Sequence, residues 1–292
     1  MDQAEGLRNV VKMQNRQDGK SARVITITSG KGGVGKSNLA VNLAVAFSNM
    51  GKRVIIFDAD FGLANVEVMF GTVPKYNLSD MIYGGKSIED IITAGPLGIG
   101  FISGGSGILG LNNLSVEQVH FLVSSLHKLE QLCDVLIVDT GAGISAQVLD
   151  FVLASPEVLL VSTPEPSSIT DSYSLMKATF KNSEFIKEET KVHLVANKVT
   201  SETEGKAVYD KLNSVVHRFL GGEISYLGMI PQDHSLEKAV RTQQIVSLDS
   251  PMAKSSRAFS HLAAKLMDVE EDEPQIHGFG ITRFFDSFLH RA

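Results

Sequence analysis

The chain has 292 residues, and 27 Lys and Arg against 33 Asp and Glu leave a formal net charge of −6. At 43% hydrophobic and 21% charged residues it lies near the globular average, which excludes global disorder, and its length allows a sizeable core without covalent staples. A lone cysteine, Cys133, excludes an internal disulfide and a cysteine-built metal or iron–sulfur site, so the expected compartment is the reducing cytosol. There is no run of about 18 apolar residues to span a membrane, and the N-terminal twenty residues lack the apolar centre of a signal peptide. One departure from the average stands out: four of the 15 Phe fall between Phe279 and Phe288.

Residues 1–21 are polar, with Arg8, Lys12, Arg16 and Lys20 at a spacing that lines one helical face. From residue 22 to 267 short β-branched runs alternate with helical patterns. The expected strands are Arg23–Thr28, Arg53–Asp58, Ile99–Ser103, Asp134–Asp139, Glu157–Ser162, Lys191–Asn197 and Ser225–Met229. Between and after them the expected helices are Lys36–Asn49, Val116–Gln131, Ser145–Ala154, Ser167–Phe180, Glu204–Phe219 and Pro251–Met267. Near-continuous apolar strands belong to a parallel sheet covered on both faces. The alternation predicts one α/β domain, a single doubly wound, mostly parallel sheet flanked by helices, and no linker divides it. Residues 268–274, DVEEDEP, read as an acidic, solvated linker, and residues 275–292 form the Phe-rich tail.

The chemistry is concentrated at strand ends. Gly30-Lys31-Gly32-Gly33-Val34-Gly35-Lys36-Ser37-Asn38 contains G-x-x-x-x-G-K-[ST] and joins a strand to a helix. Such glycines let backbone N–H groups curl around phosphates at a helix N-terminus. Lys36 is expected to reach the β- and γ-phosphates and the Ser37 hydroxyl to ligate Mg2+. Asp58 and Asp60 close the second strand, and Asp139 closes the fourth, where open α/β sheets bind ligands.

The second lysine, Lys31, makes the loop KGGVGKS, and here the sequence resembles the MinD/ParA family of dimerising P-loop ATPases over about residues 22–267. The resemblance implies ATP and Mg2+ as cofactors and an ATP-dependent homodimer in which Lys31 reaches the partner's nucleotide. It gives Asp60 the attacking water, with Lys31 and Lys36 neutralising the phosphates. Asp58 and Asp139 fall on the Mg2+ side, with Thr140 standing where the family commonly has proline. Asn197 resembles the adenine-contacting Asn, and Pro231 and Asp233 the loop over the other side of the base. Glu165 and Asp171 match positions that meet the partner's second lysine.

Both ends carry further signals. On a helix at about 100° per residue, Ile281, Phe284, Phe285, Phe288 and Leu289 share an arc of about 140°. Eleven residues make about 16 Å, too short to span a bilayer and suited to its interface; a terminal helix docked on its own domain is the alternative. At the other end Asp2-Gln3-Ala4-Glu5-Gly6-Leu7-Arg8 reads D-Q-A-x-x-L-R, a segment too short to fold alone and suited to docking. With a MinD-like core and DADFGLANVEVMFG after the second strand, the whole chain resembles the FlhG (FleN, YlxH) family of flagellar number regulators. That resemblance implies that Asp2, Gln3, Ala4, Leu7 and Arg8 engage the flagellar signal-recognition-type GTPase FlhF. It also implies a tail that binds inner-membrane lipids from the cytoplasmic side, and contacts with flagellar switch and basal-body proteins.

Other classes are weakened by composition. A nitrogenase-type iron protein needs two cysteines per subunit, and metalloid-pump relatives need several thiols. Eight His show no metal-binding spacing. A DNA-partition ATPase would want a Lys/Arg cluster, whereas the basic residues here are dispersed and no specific nucleic acid is expected. That reading stays open as an alternative, as does a nucleotide-gated scaffold with incidental hydrolysis. The expectation is a slow, Mg2+-dependent ATPase that visits the membrane and controls flagellar number or placement.

Overall fold

The computed structural model describes residues 22–60, 65–105, 125, 128–187, 189–272, 280, 281, 284 and 285. The N-terminal motif from Asp2 to Arg8, the tail residues Phe288 and Leu289, and most of the helix expected at Val116–Gln131 lie outside the described residues.

Eight strands form one sheet: β1 (Arg23–Ser29), β2 (Val54–Ala59), β3 (Thr93–Ala94), β4 (Gly100–Ser103), β5 (Val135–Ala142), β6 (Glu157–Ser162), β7 (Lys191–Val199) and β8 (Ser225–Pro231). Their order is β3-β4-β2-β5-β1-β6-β7-β8, and every pairing is parallel except β3 with β4. The expected doubly wound sheet is therefore present. The apolar runs explain it: β2 and β6 are buried along their whole length, so water is excluded from both faces and flanking helices are required.

Those helices are α1 (Lys36–Asn49), α2 (Asn65–Phe70), α3 (Leu78–Gly84), α4 (Ile88–Ile91), α5 (Ala146–Ala154), α6 (Pro166–Phe180), α7 (Glu202–Leu220), α8 (His234–Arg241), α9 (Val246–Asp249) and α10 (Lys254–Asp272). Helices α1 and α10 contribute Leu39, Leu43, Phe47, Phe259 and Leu266 to a core with Ile25, Ile27 and Ile137. On the other face α5, α6 and α7 contribute Val152, Leu175, Met176, Val208 and Leu212 against Val158, Leu160 and Leu194. Helix α10 continues to Asp272, so the acidic stretch read as a linker is helical through that residue; Asp and Glu cost little within a helix that a buried face already anchors.

The tail differs more sharply from a detached element. Ile281, Phe284 and Phe285 are 0%, 1% and 4% exposed and share a core with Phe57, Leu136, Val138, Met81 and Phe151. The Phe285 ring lies 5.7 Å from that of Phe57, and Phe284 stacks on Phe151 at 6.1 Å. Of the apolar arc that suits a lipid interface, Ile281, Phe284 and Phe285 pack against α3, α4 and α5, as the docked alternative has it.

At the end of the sheet where β1, β6 and β7 begin, Arg23 grips the buried Glu157 with two hydrogen bonds of 2.7 and 2.9 Å. Arg23 also donates to the Leu266 carbonyl of α10, and His193 lies 3.4 Å from Glu157. Burial opposes the charge on Glu157, but His193 and Arg23 hold its pKa down to about 2. That cluster ties β1, β6, β7 and α10 together and leaves the opposite end of the sheet for chemistry.

Candidate nucleotide site

β1 lies between β5 and β6, the point at which the chain's path across the sheet reverses and where ligands lodge beyond strand C-termini. Residues 30–35 leave β1 there and turn into α1. Gly35 stands at the N-cap with φ 102°, and no side chain caps the helix. The first N–H groups of α1 are thus left to an anion, which the helix dipole also favours. Gly30 has a different reason to be glycine: a Cβ there would lie 2.1 Å from the Asp171 carbonyl carbon and 2.5 Å from the Ser172 nitrogen. Helix α6 packs its backbone directly against the start of the loop.

Lys36 is buried beneath the loop. Burial lowers its pKa, while Asp139 and Asp60 pull it back up. Asp58 and Asp139 are register partners at the ends of β2 and β5. Asp139 is wholly buried, and burial raises its pKa to about 6 although the Ser37 hydroxyl and the Lys36 charge oppose the shift. Neither Asp139 oxygen has a hydrogen-bond partner at bonding distance. A buried carboxylate with two unmatched oxygens beside a Ser hydroxyl fits a bound cation. Among the described residues no three His, Cys, Asp or Glu side chains form a metal cage. Mg2+ prefers one or two protein oxygens with water and phosphate, and the Ser37 hydroxyl and the Asp139 carboxylate can supply them.

Asp58, expected on the Mg2+ side, has backbone partners of its own. Its carboxylate accepts the backbone N–H groups of Asp60 and Val66, each at 3.2 Å, so it organises the chain around the end of β2. Burial, then the neighbouring Asp139, push its pKa up to about 8. Asp60 is half-buried, takes a 3.5 Å contact from the Asn65 amide, and faces the backbone at Gly141. It is the least buried of the three acids.

The remaining expected residues are distributed as follows. Lys31 Nζ donates to Glu165 and to Ser167 of its own chain, each at 2.7 Å; Ser167 was not singled out in the sequence, although it sits two residues after Glu165. Asp171 lies on α6 beside Gly30. The Asn197 amide donates to the Val34 carbonyl at 2.6 Å and accepts from Lys198 N, so it braces the phosphate loop. Asp233 caps α8 through Ser235 N and also accepts Ser255 N and Oγ at the start of α10. Lys198, a neighbour of Asn197 in sequence, donates to the Gly33 carbonyl at 3.0 Å and is a site residue that motif reading missed.

A switch-point sheet, a glycine loop opening an uncapped helix and buried lysine and aspartate beneath it define a P-loop nucleotide-binding domain. Residues 25–246 match the CobQ/CobB/MinD/ParA nucleotide binding domain, and the chain belongs to that family. It is 42% identical over 244 residues to the antiactivator FleN of Pseudomonas aeruginosa, covering 84% of this chain and 86% of the relative. It is 36% identical to the flagellum site-determining protein YlxH of Helicobacter pylori, across 99% of this chain and 98% of the relative. Among solved structures it is similar to the septum site-determining protein MinD of Pyrococcus horikoshii complexed with Mg-ADP. That match has a TM-score of 0.66 at 23% identity and covers 87% of this chain and all of the other. The MinC:MinD cell division complex of Aquifex aeolicus is similar at TM-score 0.65 and 24% identity, over 87% and 98% of the two chains. The chain is thus of the MinD/ParA ATPase type and similar to flagellar regulators. Among its described residues no helix is long and apolar enough to cross a membrane.

Proposed function

We propose that this chain is an Mg2+-dependent ATPase that pairs with a second copy on binding ATP, and that pairing frees the C-terminal helix for the inner membrane. There it sets flagellar number or placement, acting on the GTPase FlhF through the segment Asp2–Arg8 and on basal-body components. The flagellar part is supported by similarity to FleN and YlxH, the latter across nearly the whole chain. Action through a partner protein is supported by the MinC:MinD relative. The apolar arc of Ile281, Phe284, Phe285, Phe288 and Leu289 in the sequence supports a peripheral, reversible association on the cytoplasmic side.

The observation that carries the reading is the position of Lys31. Its ammonium is parked on Glu165 and Ser167 at the rim of its own loop, and the ion pair is solvent-exposed. Exposed pairs are screened by solvent and contribute little, so Glu165 is readily exchanged for the phosphates of a second copy. Two copies facing each other at this rim would trade their Lys31 contacts, with Glu165 and Asp171 receiving the partner's lysine. In the same site Lys36 lies beneath the phosphates, the N–H groups at the start of α1 hold them, and Asp60 orients the water. The metal, held by Ser37 and Asp139, supplies charge neutralisation when bound.

Light scattering and ATP turnover test the proposal together. Asp60→Ala should dimerise on ATP with turnover reduced about a hundredfold or more, while Lys31→Ala should stay monomeric. Dimerisation of Lys31→Ala on ATP, or undiminished turnover by Asp60→Ala, would overturn it.

A further inference from the structure

We propose that Lys198, acting with Asn197, is a positioning residue of the phosphate loop: the two side chains hold two successive loop carbonyls outward and so aim the next two N–H groups at the nucleotide. The inference rests on the reading of residues 30–37 as a phosphate-binding loop and adds how that loop is kept in its binding shape.

Three observations on this chain converge. First, the β7–β8 ladder slips at this point: Asn197 pairs with Ile230 and Val199 with Pro231, so Lys198 is the extra residue of a bulge. Bulges beside active sites re-aim a side chain. Second, Lys198 has φ 57°, a left-handed conformation that a non-glycine residue adopts only where its surroundings impose it. Third, the conformation has a visible result, since Lys198 Nζ reaches the Gly33 carbonyl at 3.0 Å while Asn197 Nδ2 reaches the Val34 carbonyl at 2.6 Å. Asn197 in turn accepts the Lys198 backbone N–H at 2.8 Å, which locks the pair to each other.

The consequence follows from peptide geometry. In a planar trans peptide the C=O and the following N–H point in opposite directions. With the Gly33 carbonyl held by Lys198, the Val34 N–H is turned away from Lys198. With the Val34 carbonyl held by Asn197, the Gly35 N–H is turned the same way. Both donors lead into the N-terminus of α1, the anion-binding end. Gly35 makes room for this arrangement, because a Cβ there would lie 2.4 Å from Asn197 Nδ2. Donors aimed before binding cost no reorganisation when a phosphate arrives. Lys198 also lies near enough to Glu165 to lower its pKa, a smaller influence than that of Lys31, so the brace and the Lys31 contact share one rim of the site.

The test is binding of a fluorescent ADP analogue with Mg2+ to the full chain, alongside amide exchange of Val34 and Gly35 without nucleotide. Lys198→Asn keeps a residue that tolerates positive φ but cannot reach Gly33. It should weaken binding about tenfold, speed exchange at both amides and raise KM for ATP with kcat nearly unchanged, because the loop holds ground and transition states alike. Lys198→Arg keeps a donor of sufficient length and should bind within about twofold of wild type. Wild-type affinity and exchange in Lys198→Asn, or an equal loss in Lys198→Arg, overturns the brace. Lys36→Ala run in parallel separates the two layers: if it still binds the nucleotide, the phosphate-loop reading itself is wrong.

Discussion

Removing the buried carboxylate at position 58 should stabilise the nucleotide-free protein in alkaline solution. Asp58 has its pKa raised from 3.8 to about 8, chiefly by burial, and Asp139 from 3.8 to about 6. Both shifts are upward, so between the ordinary carboxyl pKa and the raised one the folded chain binds more protons than the unfolded chain. Stability must then fall as pH rises through that window. For Asp58 alone, integration from pH 5 to pH 8 gives a loss of about 4 kcal/mol, and Asp139 adds about 1 kcal/mol, most of it below pH 7. Glu157, whose pKa is lowered to about 2, acts in the opposite sense but only below the ordinary Glu pKa, outside this range. Urea unfolding of wild type and Asp58→Asn at pH 5 and pH 8, with EDTA and without nucleotide, measures the effect. Wild type should be less stable at pH 8, and Asp58→Asn should lose most of that slope. A wild-type protein equally stable at both pH values, or a variant with the wild-type slope, refutes the argument that burial and Asp139 set the charge of Asp58.

Two substitutions probe the packing that the site depends on. Gly30→Ala places a methyl group 2.1 Å from the backbone of α6. Neither side can yield without moving an element, so unfolding free energy should drop by about 3 kcal/mol; wild-type stability would show that α6 is not packed against the loop. Phe284→Ala removes a ring that is 1% exposed, a change that costs about 3–5 kcal/mol in a fixed core. Here the loss is capped by the free energy of undocking the tail, so protection of the amides at 281, 284 and 285 should vanish while the unfolding midpoint shifts little. Retained protection of those amides would contradict the docked tail.

The sheet was largely legible because its strands are buried on both faces, and runs such as Val135–Val138 and Val158–Val161 announce that burial directly. The phosphate loop was legible because a glycine pattern between a strand and a helix has few other uses. Other features depend on information that pattern does not contain. Strand β3 is two residues long and α4 is four, below the length at which periodicity can be seen. The burial of Phe284 and Phe285 was ambiguous in principle, since one amphipathic arc serves a lipid interface and a protein groove equally. Asp58 reads as an acid, but its raised pKa depends on how deeply it is buried and on its distance from Asp139. Lys198 was passed over because its role comes from a bulge and a positive φ, which set where its ammonium lands and leave no composition signal.

The central claim is that nucleotide state decides whether the apolar face of the tail lies on the protein or on a bilayer. Flotation of the full chain with anionic liposomes in Mg-ADP and in Mg-ATP tests it, with Asp60→Ala used to hold the ATP state and Phe285→Glu to spoil the face. Two tails on one dimer bind far more firmly than one through effective concentration. The Asp60→Ala protein should therefore float with ATP and stay behind with ADP, and the Asp60→Ala, Phe285→Glu double variant should stay behind with both. Equal flotation in ADP and ATP, or flotation that survives Phe285→Glu, would contradict the account.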